Sequence, residues 1–321
     1  MSQDFSKLFI NSFIIFGGCF YLYSIFIPFF RNKLLDLPNS RSSHLSPTPT
    51  SGGIIFSIIG SLISFIEGNF IILFVLPLSI VGFIDDIKNL KPSIRYFFQV
   101  TTIITLLFFS DNSLFIPDEI NIYSFFLFIL IVIAFSGIIN FVNFMDGIDG
   151  LVGGCILVIL GYFNLNINLM FWPIIPCLIA FLFVNWAPAK IFMGDSGSLF
   201  LGAVFVALLL KSPTFSDVFD LLILLSPLLL DAIICVTRRF LLKQNIFNPH
   251  KSHLYQRMVS KGFSHSIVAS IYILTTIFLS IIVMYYNLYV KIICLFLLLF
   301  VGIILDKYFA IPFLKSINLR K

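Results

Sequence analysis

The polar side chains able to do chemistry are gathered in a few short runs. GFIDDIKNL sets Asp85 beside Asp86. NFVNFMDGIDGL spaces Asn140 and Asn143 three apart, then Asp146 and Asp149 three apart, each aspartate followed by glycine. FMGDSGSLFLG holds Asp195 between Gly194 and Ser196. NPHKSHLYQRMVSKGFSH carries His250, His253, Tyr255 and Arg257, and DLPNSRSSHLSPTPTSGG carries Arg41 and His44. Neighbouring carboxylates point about 100° apart on a helix, so Asp85 and Asp86 do not chelate together by default. On a continuing helix, Asn140 and Asn143 share a face, as do Asp146 and Asp149. Gly147 and Gly150 let the backbone turn and a ligand come close. A helix starting near Ser198 would offer free N–H groups to phosphate oxygens. His250, His253 and Arg257, if helical, share one side and suit an anion.

Each run alone also has an ordinary explanation: a solvated acid pair, a capped glycine turn, an N-capped helix start, a positively charged loop. Together they bring five carboxylates, basic groups and glycine turns to one place. That combination is what a metal bridging an anionic substrate requires, as in phosphoryl transfer. The carboxylates are hard oxygen donors suited to magnesium, and zinc is not expected.

The elements that must position these residues are apolar. Of 321 residues 59% are hydrophobic and 11% charged, with a mean hydropathy of +1.06. Soluble domains carry about 25% charged residues, so the solvent for this chain is lipid. Spanning helices need roughly 20 apolar residues. The sequence predicts an all-α polytopic membrane protein with spans at 8–30, 51–67, 70–85, 94–110, 122–140, 149–163, 168–186, 197–212, 219–237, 266–286 and 288–305. The count is about eleven, or ten if one of the short runs 70–85 and 149–163 does not cross. With the N-terminus outside, seventeen of the twenty Lys and Arg fall on the cytoplasmic side and three outside, as the positive-inside tendency demands. The C-terminus is then cytoplasmic, and the whole chain, 1–321, is one domain. Its site is built from the cytoplasmic loops 31–50, 85–95, 140–151, 187–198 and 238–265.

The formal charge of +5 is a topology signal, and no basic stripe fits nucleic acid. MSQDFSK carries Asp4 and is no signal-peptide start, and the apolar run behind it is long enough to stay in the membrane. Cys19, Cys155, Cys177, Cys235 and Cys294 lie in apolar runs and read as buried small hydrophobes. Asp231, in PLLLDAIICVTRR, reads as a brace for the basic loop after it.

These motifs, in this order and across about residues 31–265, resemble the polyprenyl-phosphate N-acetylhexosamine-1-phosphate transferases. The resemblance implies an enzyme of the bacterial cytoplasmic membrane with its site facing the cytoplasm. It would move a sugar-1-phosphate from a UDP-N-acetyl sugar to undecaprenyl phosphate within the membrane lipid, releasing UMP. It implies magnesium, or manganese, held by Asp195, Asp86 and Asp146, and catalytic roles for Asp85, Asp86, Asp146, Asp195 and His253. Asn140, Asn143, Asp149, Arg41, His44, His250, Tyr255 and Arg257 would contact substrate, and a homodimer is an allowed assembly. The acceptor phosphate, with a second pKa of about 6, is mostly dianionic at neutral pH, so Asp85 is expected to position more than to remove a proton. Much of the family has two further histidines where this chain has Tyr255 and Gln256. The run His250-Lys-Ser-His253-Leu-Tyr255-Gln256 is similar to the O-antigen-initiating branch. That implies a 6-deoxy sugar such as N-acetylfucosamine or N-acetylquinovosamine, with the Tyr255 ring against its C6 methyl, and UDP-GlcNAc as the alternative donor. A secondary transporter is the rival from another class, but it would place its polar groups near mid-membrane, often in repeated halves.

Overall fold

The computed structural model describes residues 2–38, 46–110, 112–115, 121–245 and 250–318. Arg41 and His44 lie outside the described residues. Thirteen α-helices follow in order: α1 (Ser2–Lys33), α2 (Gly53–Ile66), α3 (Ile72–Lys88), α4 (Pro92–Ser110), α5 (Ile122–Met145), α6 (Leu151–Asn166), α7 (Ile174–Asn185), α8 (Gly194–Leu210), α9 (Phe215–Leu241), α10 (Leu254–Ser260), α11 (His265–Tyr285), α12 (Leu288–Ile304) and α13 (Phe313–Asn318). Eleven of them, all but α10 and α13, fall on the eleven apolar runs. The ends differ by a few residues, most at the starts of α1 and α7; a 3-10 turn at Leu169–Phe171 covers the start of the run expected for α7. Two elements were not expected: α13, and a short ribbon in which Leu35–Asp36 pairs antiparallel with Thr48–Pro49.

Helices α1, α4, α5, α9, α11 and α12, the last together with the helical turn Leu305–Phe309 that continues it, are long and apolar enough to cross a membrane. Helices α2, α3, α6, α7 and α8 have 12 to 17 residues, at most about 26 Å against a hydrocarbon layer of roughly 30 Å. Of these, α3, α6, α7 and α8 have an end at the polar cavity described below. A helix enclosed by other helices need not match the lipid thickness.

The axis is α8, whose residues Ser196 to Leu210 are all buried. Its sequence, SLFLGAVFVALLL, is apolar on every side, as an enclosed helix must be. Against it pack α3, α5, α2, α4 and α9. The α3–α8 seam is close because Gly82 has no side chain: a Cβ there would sit 2.3 Å from the Asp195 carbonyl oxygen. Two loops are stitched together beside it. Gly52 and Gly53 donate their N–H groups to the carbonyls of Phe192 and Met193, at 2.8 and 2.9 Å, and Phe192 donates to Pro49 at 2.8 Å.

Overpacking a tight contact costs about 1–3 kcal/mol. Gly82→Ala should therefore lower the thermal midpoint of the purified protein in detergent and disturb Asp195. Gly161→Ala, in open space on α6, should leave the midpoint unchanged or raise it slightly, because alanine favours helix. Equal midpoints for the two variants would show that the seam is not close-packed.

Candidate active site

The C-terminal ends of α3, α5 and α7 and the N-terminal ends of α6, α8 and α11 meet at one end of the bundle, as alternating helices require. Between them opens a cavity of about 640 Å³. Its wall includes Asp85, Asp86, Arg95, Asn143, Asp146, Asp149, Asn185, Asp195, Ser198, His250, Gln256 and His265.

Asp86 holds the start of α8. Its Oδ1 accepts the Asp195 N–H at 2.9 Å, and its Oδ2 accepts the Ser51 hydroxyl at 2.8 Å and the Ser196 N–H at 3.4 Å. The anion that the helix terminus attracts is thus a side chain of the protein, which corrects the expectation that these N–H groups wait for phosphate. Gly194 makes the approach possible. Its φ is +70°, and a Cβ there would lie 2.4 Å from Asp86 Oδ2.

Asp195 then projects into the cavity. Asn143 Nδ2 donates to Asp195 Oδ1 at 2.9 Å and to Ser198 Oγ at 2.8 Å. Arg95, from the first turn of α4, places one nitrogen, Nη1, 2.7 Å from Asp195 Oδ2 and 2.8 Å from Asp85 Oδ2. Asp85 also accepts the Leu90 N–H. Burial and the neighbouring Asp85 raise Asp195 against the opposing pull of Asn143 and Arg95, leaving it at about 6.

Asp146 is the C-cap of α5 and has no hydrogen-bond donor among the described residues. Burial, then Asp195, Asp86 and Asp149, push its carboxyl well above the ordinary range. A carboxylate so placed is met either by a cation or by a proton. The donor set of Asp146, Asp195 and Asp86 is all oxygen, which fits magnesium or manganese.

Asp149 ties the turn to its neighbours. Its Oδ2 accepts the Ala189 N–H at 3.2 Å and lies 3.2 Å from His265 Nδ1. Asn185 clamps the same turn, accepting the Gly150 N–H and donating to the Ile191 carbonyl, both at 2.9 Å. Arg95, Asn185 and His265 were not among the residues expected here. Their signal was faint: single polar residues at helix ends, with partners as far off as 100 positions for Arg95 and 35 for Asn185.

Several expected site residues lie elsewhere. Asn140 is off the cavity wall and pairs with α4: its Nδ2 donates to Gln99 Oε1 and to the Ser136 carbonyl, both at 2.8 Å. Tyr255 is fully buried, so it is not placed to meet a sugar methyl. Its hydroxyl donates to the Phe144 carbonyl at 3.0 Å, in the space left by the missing side chain of Gly147. Arg257, 3% exposed, binds Asp306 and the carbonyls of Ser252 and Ile311, so it fastens α10 to the C-terminal segment. His253, 2% exposed, is also off the wall, behind His250. The corrections at His253, Tyr255 and Arg257 share a cause: α10 packs inward, with Tyr255 to Met258 buried, and its start is capped by Asp231. That carboxylate accepts the N–H groups of Leu254 at 2.7 Å and Tyr255 at 3.1 Å and the Tyr272 hydroxyl at 2.7 Å. Asp231 is thus the brace it was expected to be.

The model of glycosyl transferase family 4 matches residues 69–212. The chain is 42% identical over 110 residues to a probable undecaprenyl-phosphate N-acetylglucosaminyl 1-phosphate transferase of Bacillus subtilis, covering 33% of this chain and 31% of that protein. It is 29% identical over 252 residues to an undecaprenyl-phosphate alpha-N-acetylglucosaminyl 1-phosphate transferase of Thermotoga maritima, covering 75% and 80%. It is 30% identical over 284 residues to a phospho-N-acetylmuramoyl-pentapeptide-transferase of Prochlorococcus marinus, covering 73% and 74%.

Removing Arg95 leaves Asp85 and Asp195 facing each other without their shared cation. Arg95→Ala should lower turnover at least tenfold, about 1.4 kcal/mol of barrier, in the assay named in the next subsection. Because a single nitrogen makes both contacts, Arg95→Lys should keep most of the rate. If the lysine variant is as impaired as the alanine variant, the shared-cation role is wrong.

Proposed function

The chain belongs to glycosyl transferase family 4, and from that premise we propose that it is a polyprenyl-phosphate hexosamine-1-phosphate transferase. In this role it takes a UDP-N-acetylhexosamine from the cytoplasm. It passes the sugar-1-phosphate to a polyprenyl phosphate, undecaprenyl phosphate first, at the inner face of a bacterial cytoplasmic membrane. The bond broken is the one joining the β-phosphorus to the bridging oxygen of the diphosphate. The bond formed joins that phosphorus to an oxygen of the lipid phosphate, and UMP carries away the bridging oxygen.

The observation that carries the proposal is the cavity's composition. Carboxylates, among them Asp146 with no donor among the described residues, stand with Arg95, His250 and His265 at the end of an apolar bundle. A diphosphate needs both signs, cations against its own charge and carboxylates for a metal that bridges it. Asp146, Asp195 and Asp86 would hold magnesium. When bound, the ion neutralises the charge that builds between the phosphates. Asn143 orients Asp195, and Asp86 fixes the backbone that carries it. Asp85, already held by Arg95 and the Leu90 N–H, keeps Arg95 in place, which accords with a positioning role for Asp85. His265, held by Asp149, gives the donor's anionic side a polar contact.

Among donors, a 6-deoxy N-acetylhexosamine stands first, on the resemblance of the loop at His250 to Gln256, with UDP-GlcNAc second. Tyr255 being buried, the discriminating contacts from this loop fall to His250 and Gln256. The product would start an O-antigen or another lipid-linked envelope glycan.

Membranes or purified protein given UDP-sugar, undecaprenyl phosphate and magnesium should release UMP and form a lipid-linked sugar diphosphate of matching mass. Asp195→Asn and Asp146→Asn should each lose at least a hundredfold in rate, about 2.7 kcal/mol. Absence of UMP with every UDP-N-acetylhexosamine tried would overturn the assignment. A tenfold preference in kcat/KM for UDP-GlcNAc over the 6-deoxy donors would overturn the choice of sugar alone.

A further inference from the structure

The last cytoplasmic loop turns a histidine away from the cavity and towards a cysteine. We propose that Cys235, His250 and His253 form a second metal site, for a thiophilic divalent cation with zinc foremost, distinct from the all-oxygen cluster of the cavity. This inference does not depend on the transferase assignment.

Three features of the geometry point there. First, one donor atom from each of the three residues lies within 4.8 Å of the other two. Around a tetrahedral zinc, with bonds of about 2.0–2.3 Å, ligand atoms are about 3.5 Å apart. The three atoms therefore need to close by roughly an ångström, a shift that side-chain rotation supplies. Second, His253 is 2% exposed, and its Nδ1 has no hydrogen-bond partner among the described residues. That nitrogen is turned to an acid, which leaves Nε2 as the ligand atom. Third, the carboxylate nearest to that nitrogen is Asp231 Oδ1, at 3.6 Å. Asp231 is fixed by two backbone N–H groups and the Tyr272 hydroxyl. A carboxylate behind a histidine is the arrangement that orients imidazole ligands in metal sites, one ring nitrogen facing the acid and the other the ion. Asp231 and Cys235 are four apart on α9, hence on one face, so the same helix supplies both the ligand and the orienting acid.

The chemistry of the set selects the ion. One thiolate and two imidazoles favour zinc over magnesium, and the fourth position is left for water. On binding, the Cys235 thiol gives its proton to solvent as the zinc–sulfur bond forms, with no change of oxidation state. The consequence reaches the cavity. His250 lies on the cavity wall and is stacked on His253 at 5.0 Å, and His253 is stacked on Tyr255 at 5.7 Å. An ion at this point would tie the 250–253 segment to α9 and fix that part of the wall.

The test uses the purified full chain in detergent or nanodiscs. Zinc is titrated against a chromophoric chelator, and cobalt is added separately as a spectroscopic probe. The expected result is one equivalent of zinc, a cobalt–thiolate charge-transfer band in the unaltered protein, and a raised thermal midpoint with zinc. Cys235→Ser and His253→Gln should each weaken zinc at least tenfold and abolish the band, while Asp195→Asn should bind zinc as the parent does. The cobalt band is read on the unaltered chain and so does not depend on any variant folding. Absence of stoichiometric zinc, absence of the thiolate band, or zinc binding lost in Asp195→Asn but kept in Cys235→Ser would each overturn the proposal.

Discussion

The contact on which the site depends is the capping of α8 by Asp86. A buried helix terminus exposes N–H groups that must be satisfied, and in the interior of a membrane protein water is scarce. Asp86 supplies the acceptor from α3, across a seam kept close by Gly82 and turned by Gly194. One carboxylate therefore fixes the relative height of two central helices. It also fixes where Asp195, the next residue of α8, enters the cavity. Shifting α3 along α8 would unmake the cap and the catalytic geometry together.

The second constraint is charge. Asp85, Asp86, Asp146, Asp149 and Asp195 face one cavity, and carboxylates this close and this buried repel one another. The structure answers with Arg95 between Asp85 and Asp195, His265 beside Asp149, and backbone N–H groups on Asp86. Asp146 alone among the five has no such answer from the described residues. That residual imbalance is what a metal–diphosphate complex would neutralise. Function in this view is the completion of an electrostatic deficit that the fold leaves in place.

Much of this was legible from the sequence. The eleven helices that fall on the apolar runs follow from the sequence, because length and hydropathy are local properties. The carboxylates were legible because acids at the ends of such runs are expensive without a purpose. What could not be read was direction. Arg95 looked like one more positive-inside residue, and only the meeting of α3, α4 and α8 makes it a shared cation. Tyr255 and Arg257 sit in the loop that the resemblance marks for substrate, yet α10 turns them inward because Asp231 caps its start. Cys235 looked like filler until the fold brought His250 and His253 to it. Asn140 and Asn143 stand three apart on one helix, but Asn140 pairs with Gln99 while Asn143 reaches Asp195. Spacing assigns a face, and the depth of a residue along that face is set by the neighbouring helices.

The central claim is that the oxygen cluster around Asp146 and Asp195 holds the hard cation that the donor's diphosphate needs. Manganese binding followed by electron paramagnetic resonance, in the presence of the UDP-sugar, tests it most directly. One tightly held manganese per chain is expected, weakened at least tenfold in Asp146→Asn and in Asp195→Asn and unchanged in Cys235→Ser. Equal manganese affinity in the parent and both aspartate variants would contradict the claim.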